Sequence, residues 1–149
     1  MIDSNAERAR IVERHATYIR ERMQLPISDR QYLWWDHIFL EKMPEALELY
    51  HTLIFDRASY TKRECFELGD LPRVKVSFQG VKLRAYRFTY AVATVLPLST
   101  KDIMRHECNN PYCINPRHLM TGDQRENFGD LVATRAYGTR WKLLKGWHD

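Results

Sequence analysis

The sequence predicts an α+β fold in which a helical first part precedes a strand-containing second part. Apolar residues recur about once per helical turn through most of the first seventy residues, whereas after Pro72 they alternate with polar residues. Hydrophobic residues make up 44% and charged residues 28%, as is typical of a chain with a packed core. No apolar run approaches the roughly 20 residues of a membrane helix, and the N-terminus lacks a signal-peptide core. We therefore expect a cytoplasmic protein with no membrane partner.

Three helices are predicted in the first part. Ser4 followed by Glu7 has the spacing of a capping box, which predicts a helix start. Ser28 followed by Gln31 repeats that spacing, and Pro44 suits the first turn of a third helix. Four apolar residues of the second helix could form a DNA-contacting or dimer surface, although adjacent aromatic residues more often belong to a core. These residues are Trp34, Trp35, Ile38 and Phe39.

A two-stranded ribbon is predicted directly after Pro72. Val74, Val76 and Phe78 alternate with polar residues, a Gln-Gly pair then turns the chain, and the returning strand continues the alternation. The polar residues of both strands therefore share one basic face. A ribbon of this width can enter the DNA major groove, although the same face could simply be solvated. The residues predicted to contact DNA from the ribbon are Lys75, Ser77, Gln79, Lys82 and Arg84.

Four further elements are predicted towards the C-terminus. They are a short helix over residues 88–96, strands over residues 102–107 and 118–122, and a closing helix over residues 123–137. Asp123 followed by Glu126 predicts the cap of the closing helix, and Gly138 predicts its end.

Charge is distributed unevenly between the two parts. The net charge is +4, with 10 basic and 13 acidic residues up to Pro72, and 13 basic and 6 acidic residues after it. A basic excess on one part is typical of nucleic-acid binding, although many proteins without that function share it. The second part is therefore the candidate nucleic-acid-binding part.

A metal site is indicated in a loop of the second part. Cys108, Cys113 and His118 are spaced evenly through a segment with two Asn-Pro turns, which can bring two thiolates and an imidazole together. A structural zinc site needs a fourth ligand. Cys65, the remaining cysteine, could supply it and would join the ribbon to the loop. Alternatively, Cys65 is a buried free thiol and His148 or water completes the site.

Two residues that flank this loop suggest chemistry beyond metal binding. His106 ends a predicted strand, and an imidazole is well suited to deprotonating water near neutral pH. Asn127 lies in the first turn of the closing helix, and its amide oxygen suits Mg²⁺, which keeps several waters and few protein ligands. Asp123 lies four residues earlier and could assist the metal or only cap the helix.

The stretch from His106 to Asn127 resembles the HNH endonucleases of phage and intron origin. The spacing of His106, Cys108, Cys113, His118 and Asn127 is similar to that of the His-Cys box homing endonucleases. The resemblance covers about residues 64 to 138. It implies a helical N-terminal extension over residues 1–63, followed by a zinc-bearing ββα-metal (His-Me finger) endonuclease domain over residues 64–149, encoded by a phage or intron.

The resemblance also implies a role for each of these residues. His106 would activate water, and Asn127 would hold one catalytic divalent cation such as Mg²⁺. A structural Zn²⁺ would be bound by Cys65, Cys108, Cys113 and His118.

An arginine ahead of the histidine contacts the scissile phosphate in such enzymes. Arg87 is the first choice for that role and Arg84 the second, although either guanidinium could instead face the DNA groove or only solvent. Many HNH enzymes have an aspartate directly before the histidine as a second metal ligand. Arg105 stands there in this chain, which implies the single-ligand variant, and Arg105 could contact the DNA backbone instead.

The expected function is metal-dependent hydrolysis of phosphodiester bonds in double-stranded DNA. One such core cuts one strand, so a monomer would nick DNA and a homodimer would give a double-strand break. A zinc-stabilised DNA-binding module without catalysis is the alternative, but it has no use for His106 together with Asn127. An RNA-binding zinc protein is disfavoured, because the ribbon lacks the aromatic platform on which single strands stack.

Overall fold

The computed structural model describes residues 3–21, 29–69 and 72–122 and shows a mixed α+β fold. The helices are α1 (Ser4–Glu21), α2 (Arg30–Glu41), α3 (Met43–His51) and α4 (Ala85–Thr94). A π-helical segment (Thr52–Arg57) continues α3, and a single 3₁₀ turn covers Pro116–His118. The strands are β1 (Ser59–Tyr60), β2 (Phe66–Glu67), β3 (Lys75–Phe78), β4 (Val81–Arg84), β5 (Ile103–His106) and β6 (Leu119–Gly122).

The described strands form three antiparallel pairs: β1 with β2, β3 with β4, and β5 with β6. The last two pairs agree with the strands that the sequence predicts. The pair β1–β2 lies in the part of the chain predicted to be helical, so that prediction was wrong there. Each of these two strands has 2 residues, which is too short for an alternating pattern to be visible.

Aspartates, rather than the predicted serines, cap the first two helices. The carboxylate of Asp3 accepts hydrogen bonds from two backbone N–H groups at the start of α1, where Ser4 is already helical. Asp29 does the same for α2. Both capping-box predictions were therefore displaced from the true cap, because an aspartate next to each predicted serine competes for the same role.

The basic ribbon is confirmed. Val76, Phe78 and Leu83 are buried on one face, while Lys75, Ser77 and Lys82 are exposed on the other. In the turn, Gln79 and Gly80 both have positive φ, at 48° and 76°, as a tight two-residue hairpin turn requires.

Helix α4 follows the ribbon directly. It starts at Ala85 rather than at Phe88 as predicted, because no side chain caps its start and the sequence therefore carries no local start signal. It ends before Pro97, with Val95 in the left-handed conformation.

The hydrophobic core is built around α4. Phe88 packs against Trp35 of α2 and Phe78 of β3, with ring centroids 5.9 and 5.3 Å apart. Trp35, Ile38 and Phe39 are fully buried and Trp34 packs on the core, which confirms the core interpretation of these residues. The core is continuous across the predicted boundary at residue 63, since it extends from α1 to β6.

Two predicted features lie outside the described residues: the closing helix over residues 123–137 with its signals Asp123, Glu126 and Gly138, and the metal ligand Asn127. In the part of the chain that is described, no helix is both long enough and apolar enough to cross a membrane.

Asp29 provides a test of how α2 is held. Besides capping α2, its carboxylate accepts hydrogen bonds from Thr100 in the loop before β5. The hydroxyl of Thr100, followed by the helix N–H groups, lowers the pKa of Asp29 below its ordinary value of 3.8. Because the folded pKa is the lower one, this stabilisation is present above pH 3.8 and is lost as pH falls through the folded pKa.

We expect Asp29→Ala to lower the urea midpoint at pH 7. Asp29→Asn should retain most of the cap, because an amide oxygen also accepts from the helix, but it should lack the loss of stability below pH 3.8. Urea unfolding followed by circular dichroism between pH 2 and 7 measures both effects. Equal midpoints for wild type and Asp29→Ala would show that the cap and the Thr100 contact contribute nothing.

Candidate functional site

Four side chains meet in a cluster, which we call the Cys3His cluster: Cys65, Cys108, Cys113 and His118. Their ligand atoms all lie within 4.8 Å of one another. Cys65 and Cys113 are buried, and the other two residues are half-buried. The predicted convergence of these residues is confirmed, and Cys65 lies at the fourth position. His148, the alternative fourth ligand, lies outside the described residues.

The distances in the cluster fit a tetrahedral metal ion. The Nδ1 atom of His118 lies 3.6 Å from Sγ of Cys65 and 3.6 Å from Sγ of Cys113. In tetrahedral zinc, with Zn–S of about 2.3 Å and Zn–N of about 2.0–2.1 Å, the sulfur–nitrogen separation is about 3.5–3.6 Å. Three sulfurs and one imidazole nitrogen are also a common ligand set for structural zinc. The residues present therefore fit Zn²⁺.

Backbone hydrogen bonds bring Cys65 to the rest of the cluster. Cys65 closes the turn after β1, where its N–H donates to Oγ1 of Thr61 and its carbonyl accepts from the Thr61 N–H. The N–H of Ile114 donates to Phe66 O at 2.7 Å, and Glu67 pairs with Cys113 in an isolated bridge. The segment after Cys65 is thereby joined to the loop that carries Cys113.

The two Asn-Pro turns shape the loop as the sequence predicts. The side-chain oxygen of Asn110 accepts from the N–H of Tyr112, and that of Asn115 accepts from the N–H of Arg117. Each asparagine also donates from its amide to the neighbouring segment, Asn115 to the carbonyl of Glu64. The asparagines therefore curl the loop and attach it to the segment around Cys65.

The environment of the thiols favours a bound cation. Burial raises the pKa of the Cys108 thiol and raises that of Cys113 well above its ordinary value, and the neighbouring Cys65 raises both further. Three thiolates this close together repel one another unless a cation lies between them. A divalent metal removes that repulsion and replaces the thiol protons.

His106 lies at the end of β5, next to the cluster. Its Nε2 donates to the backbone carbonyl of Cys113 at 3.1 Å, and its ring packs edge-on against Tyr86 with centroids 4.8 Å apart. Because a carbonyl oxygen can only accept, the proton of the neutral ring is on Nε2 and the lone pair is on Nδ1. Burial lowers the pKa of His106, which favours the neutral, proton-accepting form.

The Arg87 guanidinium lies inside the fold. It is half-buried and donates to the carbonyls of Asp102 and Ser99, at 2.7 and 3.0 Å, and to the side chain of Gln31. These bonds join α4 to the loop before β5 and to α2. The contacts of Arg87 therefore favour a structural role over the predicted one at the scissile phosphate.

Arg73 is a residue that the sequence reasoning missed. Its N–H donates to Pro111 O in the metal loop, its carbonyl accepts from the Arg84 guanidinium, and its φ is 57°. Its exposed side chain is close enough to His106 for its charge to lower the pKa of that histidine. Its guanidinium forms no hydrogen bond or ion pair with any described residue. The positive φ distinguishes Arg73 in the structure, but a positive φ at a non-glycine residue cannot be recognised from the sequence.

Four side chains make up the basic face of the ribbon. Lys75 pairs directly with Arg84, and Ser77 with Lys82, so the four side chains form two adjacent rows. Arg73 precedes Lys75 by two residues, its carbonyl accepts a hydrogen bond from Arg84 of this face, and its charge lowers the pKa of His106. Arg105 leaves β5 on the face opposite to His106, because successive strand residues alternate.

Comparisons of the chain with protein-family models, with curated proteins and with solved structures found no match.

The Cys3His cluster should bind one Zn²⁺ per chain. His118→Ala should weaken zinc binding by more than the roughly 10–100-fold typical of losing an outer-shell partner, and it should lower the melting temperature, because metal binding is also folding energy. His37→Ala is the matched control, since His37 is exposed on α2. Chelator competition and thermal unfolding measure these effects. Equal zinc affinities in the two variants would contradict the cluster as a metal site.

Proposed function

We propose that this protein is a metal-dependent endonuclease that hydrolyses phosphodiester bonds in double-stranded DNA, built on the ββα-metal core of the HNH enzymes. The observation that carries the proposal is the state of His106. Its Nε2 donates to the carbonyl of Cys113, so that Nδ1 is the basic atom. No described residue forms a hydrogen bond with that Nδ1. A zinc-stapled binding module does not need an imidazole in this state.

His106 acts as the general base in this proposal. A water molecule gives one proton to Nδ1 and attacks the phosphorus, which breaks the bond to the 3′-oxygen. The 3′-oxygen takes up a proton from solvent water, so the products are a 5′-phosphate and a 3′-hydroxyl. The carbonyl of Cys113 and the ring of Tyr86 hold the imidazole in place. Asn127, which lies outside the described residues, would hold a catalytic Mg²⁺ if the family resemblance applies, and such an ion would supply positive charge that stabilises the leaving oxygen.

The ribbon binds the DNA backbone and Arg73 holds the phosphate next to His106. Support comes from the exposed cations Lys75 and Lys82 on one face, and from Arg73, whose carbonyl accepts from Arg84 of that face and whose charge acts on His106. Cationic side chains supply most of the affinity of proteins for duplex DNA. We therefore assign the contact with the scissile phosphate to Arg73. The guanidinium of Arg87 donates its hydrogen bonds to groups inside the fold.

Zinc is structural in this proposal. The Cys3His cluster supplies four protein ligands, which closes the tetrahedron and leaves no position for a reacting water. Its task is to hold the loop whose Cys113 carbonyl orients His106.

We expect the wild-type protein, loaded with zinc and given Mg²⁺, to convert supercoiled plasmid to nicked or linear DNA. His106→Ala should lose about 10²–10⁴-fold in rate, as is typical for a general base, while it keeps zinc and DNA affinity. His37→Ala, an exposed histidine on another element, should cut normally. Tight duplex binding with no cleavage by wild type would favour the alternative, a DNA-binding module without catalysis.

Arg73 and Lys82 should differ in what they contribute. At saturating DNA, Arg73→Ala should lower the single-turnover rate by about 100-fold, because it removes charge at the reacting phosphate. Lys82→Ala should leave that rate unchanged. It should reduce the slope of log affinity against log salt concentration by about 1, which corresponds to the loss of one phosphate contact. Binding titrations at several salt concentrations, with single-turnover kinetics, separate the two effects. Equal saturated rates for both variants would count against the role of Arg73.

A further inference from the structure

Glu7 is a buried acidic residue that the proposed chemistry does not use. It lies in the first turns of α1 and is 1% exposed. Its Oε2 lies 3.2 Å from Nη1 of Arg10 and 3.7 Å from Nη2 of Arg117, and its Oε1 lies 3.4 Å from the Tyr50 hydroxyl. Burial of a carboxylate is costly unless it is paired, so these contacts define the position of Glu7 closely.

The contact with Arg117 connects α1 to the Cys3His cluster. Arg117 and the ligand His118 are consecutive residues of the same 3₁₀ turn. The turn itself is short, and Asn115 caps its start. This turn is anchored from outside where the N–H of Glu107 donates to the carbonyl of His118 and where Glu7 pairs with Arg117. Glu7 is therefore a charged anchor on the Arg117 side of the turn.

Glu7 is also the acidic partner among three arginines. The guanidinium of Arg14 is attracted by the charge of Glu7 and repelled by those of Arg10 and Arg117. Arg14 in turn donates to Ala93 O on α4 at 2.7 Å. Loss of the Glu7 charge would remove the attraction between Arg117 and α1 and leave the repulsion among the three guanidinium groups less compensated. The turn with His118 should then shift.

We propose that Glu7 is a positioning residue for the metal site: through Arg117 it fixes the turn that presents His118, so that α1 is part of the metal centre. The inference rests on the proposed binding of zinc by the Cys3His cluster and is independent of nuclease activity. It makes metal affinity depend on a residue 111 positions away from His118 in the sequence.

The test compares metal binding by the full chain and by two α1 variants. Glu7→Gln removes the buried charge, and Glu13→Gln removes an exposed charge of the same helix as a matched control. Zinc affinity is measured by chelator competition, and the ligand geometry by the absorption spectrum of bound Co²⁺. We expect Glu7→Gln to bind zinc at least about 10-fold more weakly, with a changed cobalt spectrum, and Glu13→Gln to match wild type.

Equal zinc affinities and cobalt spectra in Glu7→Gln and Glu13→Gln would overturn the inference while leaving the metal site intact. Failure of the wild-type chain to bind either metal would overturn the metal proposal and the inference with it. If Glu7→Gln does not fold, Arg117→Lys tests the same link from the other end, with the exposed Arg8→Lys as its control. Weaker zinc binding by Arg117→Lys supports the link, and unchanged binding overturns it.

Discussion

The candidate site depends above all on Cys113, because different atoms of this residue serve two parts of the site. Its Sγ belongs to the Cys3His cluster, and its carbonyl accepts the hydrogen bond from Nε2 of His106. Its N–H is in turn held by Asn110, and it pairs with Glu67 beside it. A shift of the loop at Cys113 therefore moves the acceptor of His106 as well. The position of Cys113 therefore sets both the geometry of the Cys3His cluster and the orientation of His106.

Helix α4 joins this site to the helical first part. Thr89 Oγ1 donates to Ile114 O in the metal loop, whereas Ala93 O accepts from Arg14 of α1. Arg87 ties the start of the same helix to the loop before β5. Because α4 is buried on nearly all sides, each of its neighbours constrains the others. The first part thus serves as a support of the site.

Features with a local or periodic cause could be predicted from sequence. The ribbon follows from strict alternation, and the loop follows from two Asn-Pro turns between ligands of the right type. Features that depend on contacts between distant parts of the chain could not be predicted from sequence. Nothing near Arg87 in sequence shows that its guanidinium meets carbonyls of a later loop. Glu7 did carry a signal, since it lies four residues before the buried Ile11 and so places a carboxylate on the apolar face of α1.

In the proposed enzyme the Cys3His cluster serves stability, and the neighbouring His106 serves the chemistry. A four-ligand cluster offers a bound ion no open position, so the hydrolysis that we propose is assigned to Nδ1 of His106 and not to the zinc. Within the described residues, Arg73 is the cation whose charge lowers the pKa of His106, and its guanidinium forms no hydrogen bond or ion pair with them. Its backbone is held in a strained conformation between the metal loop and Arg84. Strain of this kind persists only where the surrounding structure enforces it, so these two hydrogen bonds fix the point at which the Arg73 side chain leaves the backbone.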